Sequence, residues 1–239
     1  MSNATTGKEV ERLIEDSIAH QPDIIEKLRI KFKINSDLKN TSGAGVHGEK
    51  SDVRVNFECG RYLDLNIKGF SGNSGFNQLT RASISNFSER FDISDFDKNE
   101  LEELVINKSR NVTLPLFPAD KVEKWRTFFN AKANDIIKWS FSYKSSREAL
   151  VLVNKTSREV HLYMMADVLR HLRKDIVFTK GGVNIGNCVS FQRKGGNGAH
   201  AAHIDKHTIQ HPGNNIQIKL RCKKFISSFE SYLLGKYFY

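Results

Sequence analysis

The sequence predicts a mixed α/β fold in which a central twisted sheet is flanked by helices. Apolar residues recur at helical spacing between residues 7 and 19, whereas Val53, Val55 and Phe57 alternate with polar residues, as in a half-buried strand. A chain of 239 residues that is 39% hydrophobic and contains 16 Phe is long enough to bury a sizeable core. We therefore expect a single domain over residues 1–239, with one lobe at about 1–95 and another at about 145–239.

Helices are expected where apolar side chains follow the helical period, and Pro22 suits the first turn of the second helix. The predicted helical segments are 7–19, the stretch from Pro22 that holds Ile24, Ile25, Leu28 and Ile30, then Leu79–Phe91, 97–108, 119–138 and Met164–Leu172. The aromatic residues of the fifth segment and its end are assigned to the core and not to a stacking platform: Trp125, Phe128, Phe129 and Trp139.

Strands are expected where apolar and polar residues alternate or where a short apolar run is isolated. The predicted strands are 53–57, 63–67, Ala149–Val153, a strand that begins near Cys188, and Ile216–Arg221, which can pair with the previous one. The polar stretch Asn35–Glu49 is predicted to be a loop, and the glycine-rich stretch 69–75 a flexible connection.

The charge of the chain is strongly basic, with 37 Lys and Arg against 27 Asp and Glu and a formal net charge of +10. The pI near 9.5 favours a polyanionic partner such as nucleic acid, although a merely soluble basic protein would share it. No run of eighteen apolar residues and no signal peptide is evident, so we expect a cytoplasmic protein without a membrane partner. The three separated cysteines form no CxxC pair, which argues against a disulfide framework or a cysteine zinc site.

The two predicted strands around residue 60 carry a candidate catalytic site. If Cys59-Gly60-Arg61 forms the turn of an antiparallel hairpin, Asp52 lies opposite Lys68 and Arg54 opposite Asn66 on the polar face. A carboxylate, an amide and an ammonium would then lie together. This set suits Mg²⁺-dependent phosphodiester cleavage, because Mg²⁺ prefers oxygen ligands and a cation can orient the attacking water. A solvated hairpin face would produce the same spacing.

A second candidate site lies where Gln192, Arg193 and Lys194 lead into Gly195-Gly196. Glycines allow a close approach to a duplex, and these three side chains can address base edges or phosphates. The paired strand Ile216–Arg221 adds the polar side chains Gln217 and Lys219. An ordinary polar hairpin tip is the alternative interpretation.

Histidines follow this turn at spacings of three and four residues: His200, His203, His207 and His211. Such spacing can place three imidazoles on one helical face, with Asp205 nearby, so a zinc site is one interpretation. Neutral imidazoles that donate to phosphate, or that only line a loop, are the other.

These motifs, in this order, resemble the MspI/HinPI type of short-site type II restriction endonuclease, and within it the HinPI-like enzymes of the PD-(D/E)xK nuclease superfamily. The motifs that carry the resemblance are Lys50-Ser51-Asp52 with Asn66-Ile67-Lys68, Gly75-Phe76-Asn77-Gln78, Leu114-Pro115, Gln192 to Gly196, and Ile216-Gln217-Ile218-Lys219. The resemblance implies a restriction-endonuclease-like fold, with a catalytic lobe at about 1–95 and a recognition lobe at about 145–239. The chain departs from the family pattern after Gly198, where the histidine-rich stretch is longer.

The resemblance also implies roles for single residues. Asp52 matches the metal-bridging aspartate, and Asn66 the position where this branch carries an amide in place of an acid. The carbonyl of Ile67 joins them as a metal ligand, Lys68 matches the catalytic lysine, and Glu9 matches an upstream glutamate that can hold a second metal.

On the DNA-binding side, the resemblance implies that Gln78 and the run from Gln192 to Lys194 face the DNA. The implied activity is Mg²⁺-dependent cleavage of double-stranded DNA at a GC-rich four-base palindrome, GCGC before CCGG, leaving 5′-phosphate ends. A monomer or weak dimer and a cognate DNA methyltransferase in the host are implied as well. Two other classes remain open, namely a structure-selective nuclease of the junction-resolvase or repair type and a non-catalytic DNA-binding module.

Overall fold

The computed structural model describes residues 12–17, 22–43, 52–71, 76–196, 201 and 203–238. The chain divides into two compact units. The first unit comprises Met1–Asn77, Ser142–Leu172 and Cys222–Tyr239, and the second comprises Gln78–Phe141 and Arg173–Arg221. Each unit therefore interleaves segments of the chain, whereas the lobes expected at about 1–95 and 145–239 are continuous in sequence.

The helices and strands are numbered along the chain. The helices are α1, described over residues 12–17, α2 (Pro22–Phe32), α3 (Ile84–Phe91), α4 (Asp95–Arg110), α5 (Ala119–Phe141), α6 (Met165–His171) and α7 (Cys222–Phe229). The strands are β1 (Leu38–Gly43), β2 (Val53–Phe57), β3 (Tyr62–Phe70), β4 (Phe76–Ala82), β5 (Glu148–Asn154), β6 (Glu159–Met164), β7 (Ile176–Thr179), β8 (Gly182–Ile185), β9 (Val189–Arg193), β10 (Ile216–Arg221) and β11 (Leu233–Phe238). None of the described helices has the length and hydrophobicity needed to cross a bilayer.

The first unit is built on a six-stranded mixed sheet with the order β1-β2-β3-β5-β6-β11. Strands β3 and β5 are parallel, and β2 is antiparallel to β3. One face of the sheet is apolar, because Val55 and Leu65 are fully buried in a core that they share with Leu28 of α2. Residues one position away point to the other face. That face carries the polar side chains of β2 and β3.

The second unit is built on a five-stranded sheet with the order β4-β10-β9-β8-β7. Its core side is aromatic, because the ring of Phe191 on β9 lies 4.9 Å from Phe129 of α5 and 5.2 Å from Phe87 of α3. Trp125 is also buried, at 1% exposure, which confirms its assignment to the core. The predicted pairing of the strand near Cys188 with Ile216–Arg221 is confirmed, since β9 and β10 are antiparallel.

Three predicted elements differ in the structure. The expected loop Asn35–Glu49 contains the edge strand β1, which lacks apolar alternation because most of its side chains are exposed. The expected helix Leu79–Phe91 is shorter, since Leu79 lies in β4 and the Ser83 hydroxyl caps a helix that begins at Ile84. In α2 the predicted apolar residue Ile30 is 68% exposed. Phe32 is buried with the rest of the apolar face instead.

Candidate functional site

A three-residue turn, from Glu58 to Gly60, joins β2 to β3. The N–H of Phe57 donates to the carbonyl of Arg61 at 2.9 Å, and Gly60 has a φ of 78°. Hairpin loops of three residues commonly close with a residue in the left-handed conformation, which glycine adopts without a steric cost. Gly60 is therefore the last residue of the turn.

This turn sets a register that differs by two residues from the predicted one. Arg54 pairs with Asp64 and not with Asn66, so that prediction is wrong. The prediction that Asp52 lies directly opposite Lys68 is wrong for the same reason, because the expected loop placed Gly60 in its middle. A shift of two residues keeps every side chain on its face of the sheet. The polar residues therefore remain together.

Asp52 directly precedes β2, and a backbone N–H of β3 binds its carboxylate. Its carboxylate oxygen Oδ2 accepts from the N–H of Ile67 at 2.6 Å, and the Nζ of Lys68 lies 3.4 Å from the same oxygen. The side chains of Lys68 and Asp52 are only 18% and 20% exposed, respectively. The structure thus brings together the predicted carboxylate and ammonium in a partly desolvated site.

The oxygen atoms around Asp52 suit a hard cation. Asn66 is 9% exposed and shares the polar face of β3 with Lys68. In a strand, the N–H and C=O of one residue leave on the same side. Because the N–H of Ile67 points to the side of β3 where Asp52 lies, its carbonyl leaves on that side as well. A carboxylate, an amide and a backbone carbonyl are oxygen ligands of the kind that Mg²⁺ binds.

This ligand set contains a single acidic side chain from the described residues. Accordingly, the described part of the chain has no group of three His, Cys, Asp or Glu side chains that could hold a metal ion. Glu9, the predicted additional ligand, lies outside the described residues. Among the described residues, Asp52, Asn66 and Ile67 offer oxygen atoms of the kind that suit a Mg²⁺ ion.

Glu148 is a neighbour of the site that the sequence analysis missed. It pairs with Asp64 across β3 and β5 and is 6% exposed. Burial raises the pKa of Glu148; the N–H groups of Lys144 and Ser145 oppose that rise, and the charge of Asp64 adds to it. The only signal in the sequence is an acidic residue directly before the apolar run Ala149–Val153.

Cys222, the first residue of α7, lies within electrostatic reach of Lys68. Burial raises the pKa of its thiol to about 12, and the charge of Lys68 is among the effects that oppose the rise. The thiol therefore stays protonated at neutral pH. Cys222 is therefore a buried residue near Lys68 that lacks the thiolate a nucleophile needs.

The sheet of the second unit brings predicted DNA-facing residues together. Gln217 pairs with Gln192 across β10 and β9, and the Gln217 amide donates to the side-chain oxygen of Gln78. The five described strands of this sheet contain no Asp or Glu. The polar face thus combines amides with cations.

Lys194 and Lys219, which lie next to these amides, both have a lowered pKa. Burial lowers the pKa of Lys219, and the charge of Lys194 lowers it further. Burial also lowers the pKa of Lys194, followed by the charges of Arg81 and Arg193. The charges that lower these two pKa values belong to other cations, so an arriving anion would offset both the repulsion and the loss of hydration.

Two of the described histidines of the following loop, His207 and His211, have polar partners within the protein. His207 Nδ1 lies 3.1 Å from the hydroxyl of Ser109 on α4. His211 is 2% exposed, and its Nδ1 accepts from the N–H of Gly213 at 3.0 Å. His203 is exposed, and His200 lies outside the described residues. The contacts of His207 and His211 are those of side chains that stabilise a loop.

Taken with this geometry, the central mixed sheet and the flanking helices define a restriction-endonuclease-like fold, as expected from the sequence. The chain is similar to the crystal structure of the restriction endonuclease MspI in complex with its cognate DNA. The TM-score is 0.52 at 19% sequence identity, over 83% of this chain and 77% of the MspI chain. No family model matches the sequence, and the comparison with curated proteins found no match. At this identity the similarity establishes the fold.

Proposed function

We propose that the chain is a type II restriction endonuclease that hydrolyses double-stranded DNA with Mg²⁺. The observation that carries the proposal is the position of the Asp52 carboxylate, 3.4 Å from the ammonium of Lys68 and 2.6 Å from the N–H of Ile67. The fold shared with MspI, whose structure contains its cognate DNA, supports the same class of reaction. The basic, acid-free sheet of the second unit supports a polyanionic substrate.

Four residues of the first unit have a role in the proposed reaction: Asp52, Asn66, Ile67 and Lys68. Asp52, the amide oxygen of Asn66 and the carbonyl of Ile67 would hold Mg²⁺, which when bound would supply an activated water and charge neutralisation at the scissile phosphate. Lys68 orients the attacking water or takes its proton, and its charge stabilises the charge that develops on the phosphate. In-line attack leaves a 5′-phosphate and a 3′-hydroxyl.

The second unit carries recognition in this proposal. Gln192, Lys194, Gln217 and Lys219 can donate hydrogen bonds to base edges or phosphates, as can Gln78. The resemblance to HinPI-like enzymes supports a GC-rich four-base palindrome, GCGC first and CCGG second. It also supports a monomer or weak dimer in the cytoplasm of a host that carries a cognate methyltransferase.

The test is cleavage of plasmid DNA with Mg²⁺, with EDTA as the control, followed by mapping of the ends. We expect discrete fragments whose 5′-phosphate ends share one short palindrome, and none with EDTA. Cleavage of branched DNA without a shared sequence would instead identify a structure-selective nuclease. Binding to DNA without metal-dependent cleavage would identify a non-catalytic binding module.

A further inference from the structure

The three consecutive side chains Gln192, Arg193 and Lys194 do not share one environment. Arg193 pairs across the sheet with Ile216, which is fully buried, and it follows Phe191 on the aromatic side of β9. Gln192 pairs with Gln217 on the opposite face. Arg193 therefore leaves the strand on the core side, away from the amide-rich face.

Arg193 is bound to one buried amide. Its Nε donates to the Oδ1 of Asn214 at 2.7 Å, and Asn214 is 1% exposed. The Nδ2 of Asn214 donates to the carbonyls of Lys206 at 3.0 Å and of Thr208 at 2.5 Å. The amide thus holds the loop backbone with its two N–H groups while its oxygen accepts from Arg193.

The same loop is joined to the glycine turn after β9. The N–H of Gly195 donates to the carbonyl of Gly213, and the N–H of Lys194 donates to the carbonyl of Asn215, both at 2.9 Å. The two backbones are packed so closely that a Cβ on Gly213 would lie 2.6 Å from the carbonyl oxygen of Gly196. The loop and the turn are therefore one packed structure, and a shift of Asn214 would move the backbone that presents Lys194.

On the basis of the proposed function, we propose that Arg193 is a positioning residue for recognition and does not read a base. It fixes the loop 203–215 against the turn Gly195-Gly196 through Asn214. Base reading on this unit is left to the side chains of the opposite face and of the turn, beginning with Gln192 and Lys194. Loss of Arg193 should weaken recognition of the cognate site although no base loses a partner.

The test combines Arg193→Met, Asn214→Ala and the double variant with duplexes in which each guanine of the mapped site is replaced, one at a time, by 7-deazaguanine. This analogue removes the N7 acceptor and keeps the base pair. We expect each single variant to bind the cognate duplex at least about tenfold more weakly, and the double variant to be no weaker than Asn214→Ala, because Arg193 acts through Asn214, whose amide also holds the carbonyls of Lys206 and Thr208. Each 7-deazaguanine duplex should cost Arg193→Met the same factor as it costs the wild type.

A base-reading Arg193 would give a different pattern. One 7-deazaguanine duplex would then weaken the wild type but not Arg193→Met, and this result would overturn the proposal. Additive losses in Arg193→Met and Asn214→Ala would overturn it as well. Gln192→Ala is the matched control, because it lies on the opposite face and should lose its sensitivity to one analogue.

Folding is checked by measuring the Tm of every variant and by binding at a temperature well below it. If Arg193→Met does not fold, Arg193→Lys replaces it in the same cycle, because Lys keeps the aliphatic stem and the charge but lacks the Nε donor. Loss of sensitivity to one 7-deazaguanine duplex in Arg193→Lys, when the wild type is sensitive to it, would contradict the positioning role. A wild-type protein that cuts at no mapped site would contradict the proposed function itself, which is thereby distinguished from a failure of the cycle.

Discussion

Arg54 and Asp64 face each other across β2 and β3 and form a bidentate ion pair, with Nε 2.8 Å from Oδ1 and Nη2 3.2 Å from Oδ2. The ring of Tyr62 lies against the same guanidinium, 4.3 Å from it. On its other side, Asp64 pairs with the buried Glu148 of β5. Arg54 therefore compensates a carboxylate that would otherwise stand beside another acidic group with little access to water.

Replacement of Arg54 by Met should lower the free energy of unfolding by about 1–3 kcal/mol, because it leaves the Asp64 carboxylate partly buried without its cation. The measurement is equilibrium urea unfolding. Arg170→Met is the matched control, since Arg170 is 69% exposed and its nearest distance to Asp167 is 3.6 Å. The control should change stability by less than about 0.5 kcal/mol. Equal losses of unfolding free energy in the two variants would show that the Arg54–Asp64 pair contributes no more to stability than an exposed ion pair.

Glu148→Gln should alter the pH dependence of stability in a defined direction. The pKa of Glu148 is raised in the folded state, mainly by burial, so the folded protein binds more protons than the unfolded chain between the ordinary and the raised pKa. Its contribution to stability is present below the unfolded pKa and is lost as pH rises through the folded one. Above this window, Glu148→Gln should be more stable than the wild type, as measured by Tm against pH.

Glu159→Gln should change the pH dependence of stability in the opposite direction, and Glu159 lies on the same sheet as Glu148. Hydrogen bonds from Lys236 and Ser157 lower the pKa of Glu159, so its contribution is present above the unfolded pKa and is lost as pH falls through the folded one. The Gln variant should be less stable than the wild type near neutral pH, although by little because the pair is partly solvated. A fall in Tm for Glu148→Gln at neutral pH as large as that for Glu159→Gln would refute the assignment.

Lys68→Ala should abolish cleavage and leave binding to the cognate duplex nearly intact, because Lys68 is assigned to chemistry and not to recognition. Asp52→Ala should also abolish cleavage and remove the dependence of binding on Mg²⁺. Lys236→Ala is the control, since Lys236 pairs with Glu159 elsewhere on the sheet of the first unit. A rate above about one tenth of the wild-type rate in either site variant would be too high for the loss of an essential group.

DNA binding should weaken steeply with salt, roughly tenfold to a thousandfold between about 50 and 200 mM, if a few phosphates are neutralised. Lys219→Gln should reduce the slope of log K against log salt by about one if Lys219 contacts a phosphate. Lys98→Gln on α4 is the control and should leave the slope unchanged, because Lys98 already faces Glu102 at 4.0 Å. An unchanged slope for Lys219→Gln would assign Lys219 to another role.

The elements predicted correctly from the sequence are those in which apolar and polar residues alternate regularly or in which a short apolar run is isolated. The alternation in 53–57 and 63–67 gave two correct strands, and the apolar run Ala149–Val153 lies within β5. The edge strand β1 was missed because the pattern that marks a strand is produced by burial on one face, and most side chains of β1 are exposed. The helix predicted from Leu79 was too long because the apolar residues of β4 preserve a helical spacing up to the cap at Ser83.

The sequence predicted that Asp52 and Lys68 lie close together but not the register between β2 and β3 that brings them together. Period two places them on one face in either register, so the error in the turn left the face unchanged. The division of labour between Gln192 and Arg193 was not evident, because it depends on Asn214, which is far along the chain. Long-range hydrogen bonds leave no local periodic signal.

The turn from Glu58 to Gly60 makes the proposed active site depend on the length of the chain as well as on its side chains. If one residue were inserted into or removed from this turn and the strands took up the change, β2 would move by a single position against β3, and every side chain of β2 would change face. Asp52 would then point toward the apolar core, while Val53 would take its place. A relative could therefore keep Asp52, Asn66 and Lys68 and still be inactive, because a single added residue in the turn had separated them.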